Sequence, residues 1–172
     1  MTIRNISPED AIGILNIYAP YVLNSAITFE YDVPSVDEMK NRILHYTEKY
    51  PWLVAEDEGK IIGYAYASTY RERTAYQWCC ESSVYVSEDV KGKGLAHLLY
   101  DRLFELLTAQ GICNVYGIIT LPNPVSEKFH SKCGFESFAV FKNVGYKLEA
   151  WHDVLWMVRF LNEHNSAPRL VK

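Results

Sequence analysis

Apolar and polar positions along the chain alternate between two periods, and the switches between them mark out the elements. Residues 3–6 read as a short strand. Ser7-Pro8-Glu9-Asp10 then sets a helix start, with a Ser cap, Pro at the first helical position and acids in the first turn. That helix is expected to run to about Tyr18. Ser35-Val36-Asp37-Glu38 is a capping box, and the helix it opens carries Met39, Ile43, Leu44 and Tyr46. Residues 52–56 and 61–70 read as strands joined by the turn Asp57-Glu58-Gly59-Lys60, and 76–86 as a further strand. Leu95, Leu98, Leu99, Leu103, Leu106 and Leu107 recur at helical spacing until Gly111. A β-rich stretch at 114–121 follows, then a short helix at 124–133 closed by Gly134. The last strands are expected at 135–140 and 153–160, separated by an aromatic loop around Tyr146 and Trp151. The order β-α-α-β-β-β-α-β-α-β-β predicts an α/β fold with a mixed sheet. No repeat or linker interrupts it, so residues 1–162 are expected to form one domain and 163–172 a frayed polar tail.

Composition narrows the function classes. With 172 residues and 49% hydrophobic content, the chain builds a sizeable core and is not disordered. Its apolar runs are too short for a membrane span. Met1-Thr2-Ile3-Arg4-Asn5 lacks the pattern of a secretory signal, so a cytoplasmic location is expected. A formal charge of −4 argues against general nucleic-acid binding. The cysteines at 79, 80, 113 and 133 show no Cys-x-x-Cys spacing and are expected to stay reduced. The histidines show no ligand spacing either, so no metal is expected.

The most informative stretch is Lys91-Gly92-Lys93-Gly94-Leu95-Ala96, which lies between a strand and the start of the leucine-rich helix. A helix N-terminus offers unpaired N–H groups and the positive end of the macrodipole. Glycines let those groups approach an anion, and the lysines add charge, so the pattern suits a phosphate or pyrophosphate. A tight strand-to-helix turn is the plainer reading. The phosphate loop of NTPases does not fit, because Lys93 is not followed by Ser or Thr, and the third glycine of the dinucleotide fingerprint is missing.

Five blocks in order resemble the GNAT superfamily of acetyl-CoA-dependent N-acetyltransferases. They are Arg73-Thr74-Ala75-Tyr76, Glu81-Ser82-Ser83-Val84-Tyr85-Val86, residues 91–96, the run from Asn123 and Ser126 through Phe129-His130 to Cys133-Gly134-Phe135, and Trp151-His152-Asp153-Val154. Within the superfamily the chain looks like the phosphinothricin and methionine-sulfoximine acetyltransferase group. Lys91 stands where the family pattern has Arg or Gln, a mild departure because the loop's backbone binds the pyrophosphate. The resemblance covers nearly the whole chain. It implies a mostly antiparallel, splayed sheet flanked by helices, acetyl-CoA as cosubstrate, a small amine as acceptor and a homodimer.

The resemblance also assigns roles. Acetyl-CoA would rest its pyrophosphate on 91–96, pair its pantetheine arm with the backbone of Val84, Tyr85 and Val86, and meet Asn123 and Ser126. Glu81 is the expected base, because its apolar and aromatic surroundings would raise its pKa; a solvated strand-edge Glu is the alternative. The N–H of Val84 or Tyr85 is the expected oxyanion donor. His130 would either give a proton to the thiolate or help deprotonate the amine, with a structural role as the alternative. Phe29, Arg73, Thr74, Tyr76, Trp151 and His152 are the expected acceptor-binding residues, with Glu30, Arg71 and Trp78 as further candidates. The favoured acceptor is an amino acid analogue of the phosphinothricin, methionine sulfoximine or methionine sulfone type. Alternatives are a peptide N-terminus, a polyamine or an aminoglycoside, or an acyl-CoA sensor without turnover.

Overall fold

Along the central strands successive side chains enter two different cores. Trp52 and Val54 pack with α1 (Ala11–Asn24) and α2 (Val36–Thr47), while Leu53 and Ala55 pack with α3 (Leu95–Gln110). A period of two therefore makes a sheet buried on both faces. The computed structural model describes residues 1–165, 168 and 171. Its strands are β1 (Thr2–Asn5), β2 (Trp52–Asp57), β3 (Lys60–Thr69), β4 (Cys79–Val86), β5 (Asn114–Thr120), β6 (Glu136–Lys147) and β7 (Ala150–Phe160), and α4 (Pro124–Lys132) lies between β5 and β6. They form one seven-stranded sheet in the order β1-β2-β3-β4-β5-β7-β6. Every pairing is antiparallel except β4 with β5.

That parallel pairing is short. Only Cys79–Asn114, Cys80–Val115 and Glu81–Tyr116 are matched. Beyond them β4 stays with β3 and β5 turns to β7. The sheet opens there as a V, with Glu81 and Tyr116 at its apex.

Local chemistry explains most boundaries. Ser35 Oγ accepts the Glu38 N–H at 3.2 Å and caps α2, a contact of about 1 kcal/mol. Asn123 caps α4 in the same way through Ser126 N–H at 3.1 Å. Three elements differ from the sequence reading. Helix α1 continues past Tyr18 and through Pro20 to Asn24, because burial of Tyr18 and Val22 outweighs the backbone bond that proline removes. Strand β4 begins at Cys79, since Thr74–Tyr76 forms a 3-10 turn. The aromatic stretch expected as a loop is the extended tip of the β6–β7 hairpin, turning at Leu148 and Glu149 with φ of 50° and 59°. Of the expected tail, Glu163–Asn165, Pro168 and Val171 are described, and Val171 packs against the α3 core. The other tail positions lie outside the described residues.

Candidate active site

Alternation in β4 sorts its side chains. Tyr85 meets the rings of Tyr18 and Tyr21 on α1 at 5.3 and 5.2 Å, so Glu81, Ser83 and Tyr85 share the α1/α2 face. Val84 and Val86 pack on the α3 side, and Ser82 reaches Tyr100 there. The backbone alternates too. Ser87 N–H donates to Ile62 on β3, so the polar groups of Ser82, Val84 and Val86 turn away from β3 toward the V. The Val86 carbonyl accepts from Tyr21 Oη at 2.9 Å. Between the expected oxyanion donors, the N–H of Val84 is thus the one that faces the opening, while that of Tyr85 belongs to the β3 ladder.

Glu81 is half-buried, and burial alone pushes its carboxyl up to about 7. Removing water from around a carboxylate costs more than removing it from the neutral acid, so the proton is held more tightly. Beside it an aromatic wall runs across the sheet. Tyr116 lies tilted against Tyr70 at 4.6 Å and meets Trp156 at 6.1 Å, and Tyr76 sits edge-on to Tyr70 at 5.6 Å. The Arg71 guanidinium lies 5.2 and 5.6 Å from the rings of Tyr70 and Tyr76. Arg73 and Thr74 lie exposed in the same connection, where their carbonyls close the 3-10 turn.

His130 is buried on the opposite, α3/α4 face. Its Nδ1 lies 2.9 Å from the Ser126 carbonyl, an acceptor only, so Nδ1 carries the proton. Nε2 is then the acceptor of the neutral ring and takes the Tyr100 hydroxyl proton at 3.2 Å. The Ser82 hydroxyl donates in turn to Tyr100 at 3.3 Å. Burial lowers the His130 pKa and keeps the ring neutral. A buried file of hydroxyls therefore leads from β4, one residue past Glu81, to His130. Gly117 lies under the ring, where an added Cβ would come within 2.9 Å of His130 Cδ2.

The loop at 91–96 has the expected form. Gly92 and Gly94 adopt φ of 76° and 84°, which only glycine takes without strain, and a Cβ on either would meet nothing within 4 Å. The N–H groups of Lys91 and Lys93 turn inward to Glu88 and Val90. Those of Leu95 and Ala96 begin α3 and have no helical acceptor. Lys91 pairs with Glu88 and lies 5.1 Å from the Tyr21 ring. This open concave backbone beside the unpaired edge of β4 suits a pyrophosphate followed by an extended, amide-containing arm.

The acceptor candidates divide. Phe29 packs on His152 at 6.2 Å and covers Gly145, on the Glu81 face. His152 Nε2 donates to the Lys147 carbonyl at 2.9 Å. Trp151 turns the other way and is 63% exposed beside Tyr146, so the structure does not bring it to this face. Glu30 is engaged by Arg42 at 2.6 and 3.1 Å and by Tyr18 at 3.0 Å. Sequence reasoning missed Tyr100, Tyr116 and Trp156. Only Tyr100 left a trace, as a polar-headed residue adjoining the leucine stripe of α3.

Residues 3–156 match the family described as "Acetyltransferase (GNAT) domain". The chain belongs to this family. It is an acetyl-CoA-dependent N-acetyltransferase by that membership, as the sequence blocks implied. A phosphinothricin N-acetyltransferase of Streptomyces viridochromogenes is 35% identical over 171 residues, covering 99% of this chain and 92% of that protein. An L-methionine sulfoximine/L-methionine sulfone acetyltransferase of Pseudomonas aeruginosa is 34% identical over 169 residues, covering 97% and 98%. Among solved structures, a GNAT phosphinothricin acetyltransferase from Sinorhizobium meliloti in complex with AcCoA superposes with a TM-score of 0.93 at 38% identity, covering 98% and 92%. Among the described residues no helix is long and apolar enough to cross a membrane, and no group of three or more His, Cys, Asp or Glu is placed to hold a metal.

Proposed function

We propose that this acetyltransferase acts on the primary amine of a small amino acid analogue of the phosphinothricin, methionine sulfoximine or methionine sulfone type. The observation that carries the reading is a carboxyl with a pKa of about 7 at the apex of the V, on the face that bears an aromatic wall. Acetyl-CoA supplies an acetyl group activated as a thioester. The 91–96 backbone holds the pyrophosphate, with Asn123 and Ser126 at the start of α4 close to the remainder. Glu81 accepts a proton from the ammonium, directly or through a water, and frees the amine lone pair for attack. The Val84 N–H stabilises the negative charge that develops on the acetyl oxygen. The nitrogen sheds a second proton as the C–S bond breaks and the thiolate departs. The Ser82–Tyr100–His130 file, whose hydroxyls both donate toward His130 Nε2, relays that proton onto this free ring nitrogen.

Arg73 and Arg71 take the acceptor carboxylate, and Phe29, Thr74, Tyr76 and His152 shape the rest of the site. Their cations disfavour polyamines and aminoglycosides. A sensor without turnover has no use for a carboxyl poised at neutral pH. The outward Trp151 lies beside Tyr146, with Val144 at the same alternation of β6, all exposed on the β6–β7 hairpin, and we assign this apolar face to a homodimer contact. A cytoplasmic location accords with four free thiols.

Thiol release measured with the three analogues against spermidine, an aminoglycoside, an arylamine and a Ser-terminal peptide tests the substrate reading. Higher kcat/KM for any of the latter four than for all three analogues would sink it and leave the acetyltransferase intact.

A further inference from the structure

The V is bridged on the Glu81 face by the connection between α1 and α2. One end of that bridge belongs to β4: Tyr18 lies on Tyr85, and its hydroxyl meets Thr28 Oγ1 at 2.7 Å and Glu30 at 3.0 Å. The other end belongs to the β6–β7 hairpin, on the far arm of the V. There Phe29 covers Gly145 so closely that a Cβ at Gly145 would stand 2.2 Å from the ring. Tyr31 donates to the Tyr146 carbonyl. At the centre of this contact sits Lys147, only 3% exposed, whose Nζ donates to the carbonyls of Val22 and Thr28, both at 2.7 Å.

A buried ammonium is expensive unless its protons are all well used. Here one bond satisfies a last-turn carbonyl of α1 and the other holds the bridging loop, one residue before Phe29. Burial lowers the pKa of the Lys147 ammonium, and Glu30 is the charged group whose field opposes that shift. Neither bond is needed to close the hairpin, which is held by its own ladder through Lys147–Ala150. The ammonium therefore ties together segments more than a hundred residues apart, and the segment it ties carries one wall of the acceptor site.

We propose that Lys147 is a positioning residue for acceptor selection: it fastens the 25–33 loop across the V, and so sets where Phe29 stands and how large an amine side chain the site admits. This rests on the proposed acceptor face and adds the device that fixes its width.

The test is Lys147→Met, which keeps the length of the side chain and removes the donors. Amides at 26–31 are expected to exchange hydrogen faster than in the wild type, while acetyl-CoA binding by calorimetry is unchanged. KM for phosphinothricin is expected to rise about tenfold with kcat changed less than about threefold. Relative kcat/KM is expected to shift toward bulkier amino acids, and Phe29→Ala to give the same shift. The double variant should then add little to either single one. Unchanged exchange at 26–31, or a lowered Tm with selectivity intact, would overturn the proposal. Tyr31→Phe at the exposed rim loosens the same loop without touching the core. If Lys147→Met does not fold, faster exchange at 26–31 together with wild-type selectivity in Tyr31→Phe overturns it equally. Should the wild type not acetylate phosphinothricin, the substrate reading falls, and hydrogen exchange still decides the fastening.

Discussion

Glu81 and Tyr116 form the last rung of the parallel ladder between β4 and β5. On one side of that rung the strands are joined, and on the other they diverge. The carboxyl thus stands where the sheet gives up its backbone bonds, close enough to the core to lose water and close enough to the opening to meet a ligand. Its raised pKa and its access to the V share this cause.

The pH dependence of turnover follows from that position. As a base Glu81 works deprotonated, so kcat/KM is expected to rise with pH and level off above about 7. Glu81→Gln is expected to lower turnover by about 100-fold or more, with the defect shrinking as pH approaches the pKa of the amine. A mutant rate equal to wild type from about pH 6 to 9 would remove Glu81 from the base role.

Stability gives a second, independent check on the same group. The folded pKa of about 7 exceeds the ordinary 4.5. Between those values the folded state binds more protons than the unfolded one, so stability falls as pH rises through this window. Glu81→Gln should therefore raise Tm at pH 8 and leave it unchanged at pH 4. Equal Tm differences at the two pH values would show that the carboxyl is not desolvated as described.

The His130 file makes a prediction at a residue that touches no ligand. Gly117→Ala places a methyl group 2.9 Å from the imidazole and must displace it. Turnover should fall as in His130→Phe, and Tyr100→Phe should lower kcat while acetyl-CoA binding holds. If all three variants keep wild-type kcat per folded molecule, the file is structural.

Cofactor binding is expected to depend on backbone shape at Gly94. Its φ of 84° strains any L side chain by about 1–2 kcal/mol, and Val would project into the open concavity. Gly94→Val should therefore weaken acetyl-CoA binding strongly in calorimetry. Equal affinity in both proteins would move the pyrophosphate elsewhere.

Carboxylate recognition separates the two arginines. Arg71 is anchored over Tyr70 and Tyr76, whereas Arg73 extends from the turn. Arg73→Lys should raise KM for the analogues more than for simple amines, through loss of the bidentate fork. If Arg71→Lys does so and Arg73→Lys does not, the anchored arginine holds the carboxylate.

The one-dimensional pattern determined the element order, the helix cap at Ser35 and the glycine loop, because each depends on near neighbours in the chain; that Asn123 caps α4 and that the sheet is buried on both faces came from the structure. The short β-branched and aromatic runs of β2 to β5, bounded by turn residues, and the leucine stripe of α3 need no partner to be recognised. Glu81, Gly94 and His130 were marked by their blocks. What tertiary structure alone decided depends on contacts between distant residues. Pro20 stays inside a helix because Tyr18 and Val22 are buried by other elements. The stretch around Tyr146 and Trp151 pairs as a hairpin although aromatic residues on both of its faces hide the alternation, and that pairing sends Trp151 outward and His152 inward. Where β4 parts from β5 is set by β3 and β7 competing for their edges. Lys147, which sequence places in an ordinary polar position, becomes a buried donor only when α1, its following loop and the hairpin tip meet around it.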